Sequence, residues 1–286
     1  MAEIERVGVV GAGLMGSGIA EVNARAGLRV TVAEVGDSAV EAGRSRIRGS
    51  LDRGVERGKI SADDRGAAWD NIGFTTSLAD LGDRDLVIEA AAEDEDIKTR
   101  VFGELDEAVG GSEAVLASNT SSIPIAKLAA ATQRPQHVIG MHFFNPVPVL
   151  KLVELVPSLL TSAETVQRVT DFATDRLGKE SIRAQDRSGF VVNALLVPYL
   201  LSAIRMVEAG TAAAEDIDNG MVLGCAHPMG PLRLADMVGL DTVKAIADSM
   251  YAEYKDPNCA APPLLQRMVD AGLWGKKSGQ GFYSYT

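Results

Sequence analysis

The chain has 286 residues, of which 46% are hydrophobic and 23% are charged, which is enough for two domains with substantial cores. Its formal net charge of −11 argues against nucleic acid or an anionic membrane as a general partner. Two cysteines, Cys225 and Cys259, are too few for a disulfide framework and are not spaced as metal ligands. We therefore expect free thiols, a cytoplasmic location and no metal site.

The first half of the chain alternates short strands with helices. The segment RVGVVGAG predicts a strand and a turn before a helix over residues 14–26, and RVTVAE predicts a second strand before a long helical region over residues 37–57. The strand begins so close to the amino terminus that we expect no signal peptide. Further strand candidates are DLVIEAA, AVLASNT, HVIGMHF and KLVELV. This alternation predicts an α/β fold with a mostly parallel sheet covered on both faces.

Strand signals stop near residue 186. Beyond it, apolar residues recur at helical spacing in four segments, 188–210, 214–224, 230–254 and 262–272. Helix ends are predicted at or near four glycines, Gly210, Gly224, Gly239 and Gly272. The sequence therefore predicts an α/β domain over residues 1–186 and an all-helical domain over residues 187–286. The longest apolar stretch, residues 189–204, is too short for a membrane span.

A glycine-rich turn follows the first strand. The turn has the pattern G-x-G-x-x-G, and its members are Gly11, Gly13, Leu14, Met15 and Gly16. Between a strand and a helix, such glycines allow a tight turn, close approach of the backbone to a pyrophosphate and close helix packing. The helix terminus also offers N–H groups to phosphate. Glu34, at the end of the second strand, suits the ribose hydroxyls of NAD and repels the 2′-phosphate of NADP. We therefore predict a Rossmann-type domain that binds NAD.

One of the three histidines, His142, lies in the apolar segment IGMHFFNPVPVLKLVELV, and the first carboxylate after it is Glu154. A core histidine with both ring nitrogens satisfied is the simpler interpretation. In a hydride-transfer enzyme, however, histidine can accept the proton of an alcohol at neutral pH. Glu154 would then orient the ring, as the acid does in a serine triad. The position of His142 near the carboxyl end of a strand favours catalysis.

Seven segments distributed along the chain carry a resemblance to a known family: GVVGAGLMGSGIA, VIEAAAED, LASNTSS, MHFFNPVPVLKLVELV, DRSGFVVNALLVPYLLSAI, HPMGPLRLADMVGLDT and GKKSGQGFYSY. With these segments the chain resembles the L-3-hydroxyacyl-CoA dehydrogenases over essentially its whole length, and most of all their stand-alone 3-hydroxybutyryl-CoA branch. The resemblance implies an NAD-dependent oxidoreductase that interconverts (3S)-3-hydroxyacyl-CoA and 3-oxoacyl-CoA thioesters, with short acyl chains.

The resemblance also implies catalytic roles. His142 would be the base and Glu154 its partner, Ser121 would hydrogen-bond the substrate oxygen near the nicotinamide, and Asn193 would lie near the thioester. From the residues alone, Ser121 could instead cap a helix that starts near Ile123. Asn193 could likewise satisfy backbone groups at the start of a buried helix.

Further cofactor contacts are implied by the resemblance. Beyond the glycine turn and Glu34 they are Glu93, Lys98, Ser121, Asn145 and Lys277. Glu93 and Lys98 could instead form an ordinary solvated start of a helix.

Coenzyme A requires a cationic patch because the chain as a whole is acidic. Arg46, Ser50, Arg53 and Arg57 recur on one helical face, where they could bind phosphate through charge-assisted hydrogen bonds. The resemblance implies coenzyme A contacts at Ser50 and Arg57, and Ser121 and Arg53 complete the predicted substrate site. A solvated charged helix is the alternative, and three glycines weaken the helix assignment, namely Gly43, Gly49 and Gly54.

Other functions remain open. The β-hydroxyacid dehydrogenases share the glycine turn, but they use a lysine in a glycine-rich helix, and no such stretch follows residue 160. An L-gulonate-type or crystallin-like relative would keep the His–Glu pair and act on a free sugar acid. A non-catalytic NAD-binding protein has no need of Ser121, His142, Glu154 and Asn193 together. The segment 188–210 is apolar around most of its circumference, which predicts a homodimer.

Overall fold

The structure is a computed structural model that describes residues 3–110 and 113–285. The chain divides into two compact units between Arg187 and Ser188. No helix among the described residues is long and apolar enough to cross a membrane.

The first unit is built on an eight-stranded sheet. Its strands are β1 (Arg6–Val10), β2 (Arg29–Ala33), β3 (Ile72–Thr75), β4 (Leu86–Glu89), β5 (Val115–Ser118), β6 (Val138–Phe143), β7 (Leu152–Pro157) and β8 (Glu180–Arg183). They lie in the order β3-β2-β1-β4-β5-β6-β7-β8. Every neighbouring pair is parallel except β6 and β7, which are antiparallel. The predicted mostly parallel sheet is confirmed.

Helices flank this sheet: α1 (Leu14–Arg25), α2 (Asp37–Glu56), α3 (Ala62–Asp70), α4 (Glu95–Ala108), α5 (Ile125–Ala130) and α6 (Ala163–Asp171). The central strands β4, β5 and β6 are buried along their whole length. Strands covered on both faces need apolar side chains at successive positions, which is why these segments read as continuous apolar runs.

Helix α2 is continuous despite its three glycines. Gly43 is required by packing, because a Cβ at this position would lie 2.4 Å from the Cβ of Ala12 in the glycine turn. Gly54 similarly makes room for Ile60, whose side chain would lie 3.1 Å from an added Cβ. These glycines therefore bring α2 close to its neighbours, and the sequence-based doubt about the helix was wrong.

The second unit is helical, as predicted. Its helices are α7 (Val192–Glu208), α8 (Ala214–Cys225), α9 (Pro231–Val238), α10 (Leu240–Tyr254) and α11 (Pro263–Asp270). The apolar pattern over residues 230–254 is interrupted at Gly239, whose φ of 103° is a conformation that glycine adopts readily. Helix α7 buries Val197, Leu201 and Ile204 in the core of this unit.

Candidate active site

The polar residues predicted for the site follow the carboxyl ends of parallel strands. Strands β1, β2, β4, β5 and β6 run in the same direction, so their carboxyl ends meet at one edge of the sheet. The glycine turn follows β1, and Glu34 follows β2. Ser121 lies in the loop after β5, and His142 is the penultimate residue of β6. In α/β sheets this edge is where ligands bind.

The three glycines of the turn differ in what a side chain at each position would meet. Gly11 has a φ of 91°, and a Cβ there would lie 2.6 Å from the carbonyl oxygen of Ala90. A Cβ at Gly16 would lie 1.9 Å from the carbonyl oxygen of Gly11, so the turn packs directly on α1. Around Gly13, in contrast, nothing lies within 4 Å of an added Cβ. This open position at the amino end of α1 can accept a phosphate closely, so the turn fits a dinucleotide.

The two residues between these glycines have different surroundings. Leu14 starts α1 with a side chain that is 64% exposed, whereas Met15 is partly buried against the core of the sheet.

Glu34 lies next to the glycine turn. Its Oε1 accepts a hydrogen bond from the backbone N–H of Ala12, and its Oε2 accepts one from that of Val35, 3.1 Å away. The side chain is partly buried, so the carboxylate is fixed at the end of β2. A carboxylate in this position suits the ribose hydroxyls of NAD.

His142 and Glu154 form a buried pair. They are twelve positions apart in the sequence but directly opposite each other in the antiparallel pairing of β6 and β7. His142 Nδ1 lies 2.7 Å from Glu154 Oε2, and the two residues are 6% and 0% exposed. In the tautomer with the hydrogen on Nδ1, the ring donates to this carboxylate and leaves Nε2 as the acceptor nitrogen. Phe144 contacts the imidazole edge-on, and a carboxylate beside a buried imidazole is an arrangement that suits an oriented general base.

A charged cluster lies after β4 and was only partly predicted. Lys98 is 1% exposed, and its Nζ donates to Glu89 Oε1 at 2.6 Å. Glu93 Oε2 lies 3.4 Å from the same Nζ. The alternative of a solvated helix start is therefore wrong for Lys98. Glu89, itself 0% exposed, was missed by sequence reasoning, although a lone carboxylate inside the apolar run DLVIEAA was the available signal.

The same cluster fixes the loop that carries Ser121. Glu93 Oε1 accepts hydrogen bonds from the Thr120 hydroxyl at 2.6 Å and from the Ser121 N–H at 2.9 Å. Burial alone would raise the pKa of Glu93, but the Lys98 ammonium and these hydrogen bonds outweigh it and hold the pKa below its ordinary value. Glu93 is therefore a carboxylate at neutral pH.

Ser121 does not cap a helix. Helix α5 starts at Ile125, and its first N–H groups are capped by the carboxylate of Asp186, at 2.7 and 2.8 Å. The alternative interpretation of Ser121 as a helix cap is therefore wrong. Asp186 was not predicted as a cap because it lies 61 residues further along the chain.

The predicted arginine face lines a groove. Ser50 and Arg53 of α2, with Arg57 immediately after this helix, form one wall, and residues 145–149 form the other. Leu14, Arg25 and Lys59 contribute further lining. The groove thus joins a cationic wall to an apolar wall that contains Val147, Pro148 and Val149, and Asn145 also lines it. Such a groove suits a ligand with phosphates at one end and an uncharged chain.

Arg46 differs from the other members of this face. Although it borders the groove, its Nη1 donates to the carbonyl oxygen of Ala12. Arg46 therefore helps to hold the glycine turn, and its role in phosphate binding stays a prediction.

Asn193 and Lys277 belong to the second unit. Asn193 is 9% exposed and is the second residue of α7. Lys277 Nζ donates to Asp241 Oδ2 at 2.6 Å. Among the residues that the structure describes, no cluster of histidine, cysteine and carboxylate side chains has the composition of a metal site.

Comparisons with known proteins agree with this geometry. Residues 6–187 match the family model of the 3-hydroxyacyl-CoA dehydrogenase NAD binding domain, and residues 189–285 match that of the C-terminal domain. The chain is 62% identical over 282 residues to the 3-hydroxybutyryl-CoA dehydrogenase of Mycobacterium tuberculosis, covering 99% of each chain.

Two crystal structures share the fold over almost the full length. FadB2 of Mycobacterium tuberculosis has a TM-score of 0.99 at 61% identity, with all of both chains covered. The (S)-3-hydroxybutyryl-CoA dehydrogenase PaaH1 of Ralstonia eutropha has a TM-score of 0.93 at 45% identity, covering 99% of this chain and 100% of that one. With a glycine turn that fits NAD, a buried His–Glu pair at the same sheet edge and both family domains in order, the chain belongs to the NAD-dependent 3-hydroxyacyl-CoA dehydrogenase family.

Proposed function

We propose that this protein is an NAD-dependent dehydrogenase that interconverts (3S)-3-hydroxybutyryl-CoA and acetoacetyl-CoA. The observation that carries the proposal is the buried His142–Glu154 pair at the carboxyl edge of a sheet that binds NAD. The short acyl chain is supported by the relative that is 62% identical and is named for this substrate.

His142 acts as the general base in the oxidative direction. Its Nε2 takes the proton from the 3-hydroxyl group as the carbonyl forms, and it returns a proton to the oxygen in the reverse reaction. Glu154 keeps the lone pair on Nε2 and stabilises the imidazolium while the proton is held. NAD⁺, when bound, supplies the hydride acceptor. Proton transfer to His142 and hydride transfer to NAD⁺ together need no covalent intermediate with the protein.

Four other residues support these steps. Ser121 hydrogen-bonds the substrate oxygen, and its loop is held by Glu93. Asn193 lies near the thioester, and Asn145 and Lys277 contribute to the cofactor site. These roles rest on the family resemblance.

The cofactor site is formed by the glycine turn, Glu34 and the cluster of Glu93 and Lys98. The open position at Gly13 receives the pyrophosphate, and Glu34 accepts hydrogen bonds from the adenosine ribose. Glu93, held as a carboxylate, accepts from the hydroxyls of the second ribose. Lys98 keeps Glu93 ionised and in place.

The groove along α2 binds coenzyme A. Arg53 and Arg57 bind its phosphates by charge-assisted hydrogen bonds, with Ser50 as a neutral donor between them and the glycine turn. The uncharged pantetheine follows the apolar wall formed by Val147 and Val149. A local cationic wall thus resolves the conflict between a net charge of −11 and an anionic substrate.

The two functional domains are residues 1–186, for NAD, and residues 187–286, for substrate and dimer formation.

Helix α7 leaves Leu195 74% exposed and Met206 41% exposed, which supports a homodimer in which a second copy covers this surface. Light scattering at micromolar concentration should report twice the mass of the chain. The mass of a single chain would contradict the proposed dimer. The cytoplasmic location of the protein stays a prediction.

The experiment that tests the proposed function is NADH consumption with 3-oxoacyl-CoA thioesters of increasing length. We expect the highest kcat/KM with acetoacetyl-CoA. NAD⁺ reduction with L-gulonate is the comparison for the sugar-acid alternative. Oxidation of L-gulonate with weak turnover of acetoacetyl-CoA would contradict the proposal.

A further inference from the structure

Lys179 is a buried cation that the reaction does not use directly. It immediately precedes β8 and is 8% exposed. Its Nζ donates to the carbonyl oxygens of Val147, at 2.6 Å, and Leu150, at 2.7 Å. Burial lowers the pKa of the Lys179 ammonium, and the positive charge of Arg25 lowers it further. Burying such a group is unfavourable unless its hydrogen bonds are made, so its two contacts are structurally important.

Both of these contacts hold the loop that forms the apolar wall of the groove. Within this loop, the carbonyl oxygen of Pro146 accepts from the N–H groups of Val149 and Leu150, at 2.9 and 3.0 Å. The loop also packs on α1, where a Cβ added to Gly18 would lie 2.9 Å from the Cβ of Val147. The Lys179 ammonium therefore holds the loop through its backbone carbonyl groups, while the same loop lines the groove.

We propose that Lys179 is a positioning residue that keeps residues 146–150 in the shape required to bind the coenzyme A portion of the substrate. The inference rests on the proposed function for the identity of the ligand. The internal bonds of the loop engage only the carbonyl group of Pro146, whereas the two bonds from Nζ hold the carbonyl groups of Val147 and Leu150. Loss of these bonds displaces the wall without touching the His142–Glu154 pair.

A purely structural role makes a different kinetic prediction. If Lys179 only stabilised the fold, its loss would lower the melting temperature and the active fraction, which reduces kcat and leaves both KM values unchanged. A positioning role raises the KM for acetoacetyl-CoA selectively. The KM for NADH should stay constant, because its phosphates lie on the glycine turn after β1.

The test compares three variants with the wild-type enzyme. Lys179→Met removes the charge and both hydrogen bonds but keeps most of the side-chain length, and we expect at least a fivefold rise in KM for acetoacetyl-CoA. Both kcat and the KM for NADH should stay within twofold. Lys179→Arg keeps the charge and several donors and should bring the KM back to within twofold of wild type. Lys127→Met is the matched control, since Lys127 is exposed and pairs with Glu95 at 2.7 Å, and it should change nothing.

Other outcomes overturn the inference. A fall in kcat or in melting temperature with both KM values unchanged would show a structural role alone, and equal increases in both KM values would show a general disturbance of the sheet edge. If Lys179→Met does not fold, Lys179→Gln, which keeps a neutral donor, is judged by the same criteria.

A binding measurement tests the positioning role of Lys179 independently of the proposed enzymatic activity. Free coenzyme A is titrated against the wild-type protein and the Lys179 variant by calorimetry. Weaker binding to the variant supports the positioning role even if acetoacetyl-CoA is not reduced. Equal binding, or no binding to the wild-type protein, contradicts it.

Discussion

Removal of the guanidinium groups from the groove should weaken binding of acetoacetyl-CoA without slowing its reduction. Arg53, near the end of α2, and Arg57, just after it, line the groove. A charge-assisted hydrogen bond contributes about 1.5–3 kcal/mol, and each 1.4 kcal/mol is roughly a factor of ten in binding. Loss of one such contact therefore raises the KM for acetoacetyl-CoA about 10- to 100-fold. The butyryl chain offers only a few methylene groups at about 0.8 kcal/mol each, so the phosphates dominate binding.

The assay is the initial rate of NADH consumption in Arg53→Ala, Arg57→Ala and the double variant. We expect kcat at saturation to hold, because phosphate contacts are equal in the ground and transition states, and the KM for NADH to hold as well. Rising salt should raise the KM for acetoacetyl-CoA in the wild-type enzyme. Arg44→Ala is the matched control, since Arg44 stacks on Phe74. Equal weakening of both substrates, or no effect of salt, would refute the reasoning.

Two further changes test the catalytic pair and the cofactor site. Glu154→Gln removes the charge of a carboxylate whose Oε2 lies 2.7 Å from His142 Nδ1. Two opposite charges centred about 4 Å apart attract each other by about 4 kcal/mol at a dielectric constant near 20, so kcat should fall about 10³-fold. Glu180→Gln, at the exposed first residue of β8, should leave kcat unchanged. A loss of less than tenfold in Glu154→Gln would show that this carboxylate does not stabilise the imidazolium. Glu34→Ala should narrow the difference in kcat/KM between NADH and NADPH, because the charge that repels the 2′-phosphate is gone. A wild-type enzyme that already prefers NADPH would be incompatible with that role.

Much of the fold was predictable because its signals are local. The glycine turn, the long apolar strands and the helical spacing after residue 186 each depend on residues near one another in the chain. The strands β3 and β8 were not predicted. They have four residues each, lie at the edges of the sheet and are only partly buried, so the apolar pattern of a buried strand does not develop.

The sequence analysis proposed the candidate residues and the pairing of His142 with Glu154, but not the strand register that brings these two residues together. The sequence shows that His142 and Glu154 are both present, yet only the antiparallel register of β6 and β7 places them opposite each other. That register depends on the connection between the strands, which has no diagnostic sequence. Lys98 is a similar case, because a lysine in a charged segment gives no sign that it is buried against Glu89. Such pairs depend on tertiary packing.

The central claim is that His142 exchanges the proton with the substrate oxygen. The most direct measurement is the kcat of His142→Gln for acetoacetyl-CoA and NADH, made on protein shown by circular dichroism to be folded, together with the dissociation constant of NADH. We predict a fall in kcat of roughly 10² to 10⁴, the usual contribution of a general base, with NADH bound as tightly as by the wild-type enzyme. A folded variant with near-normal kcat would contradict the claim and would make His142 a structural residue of the core.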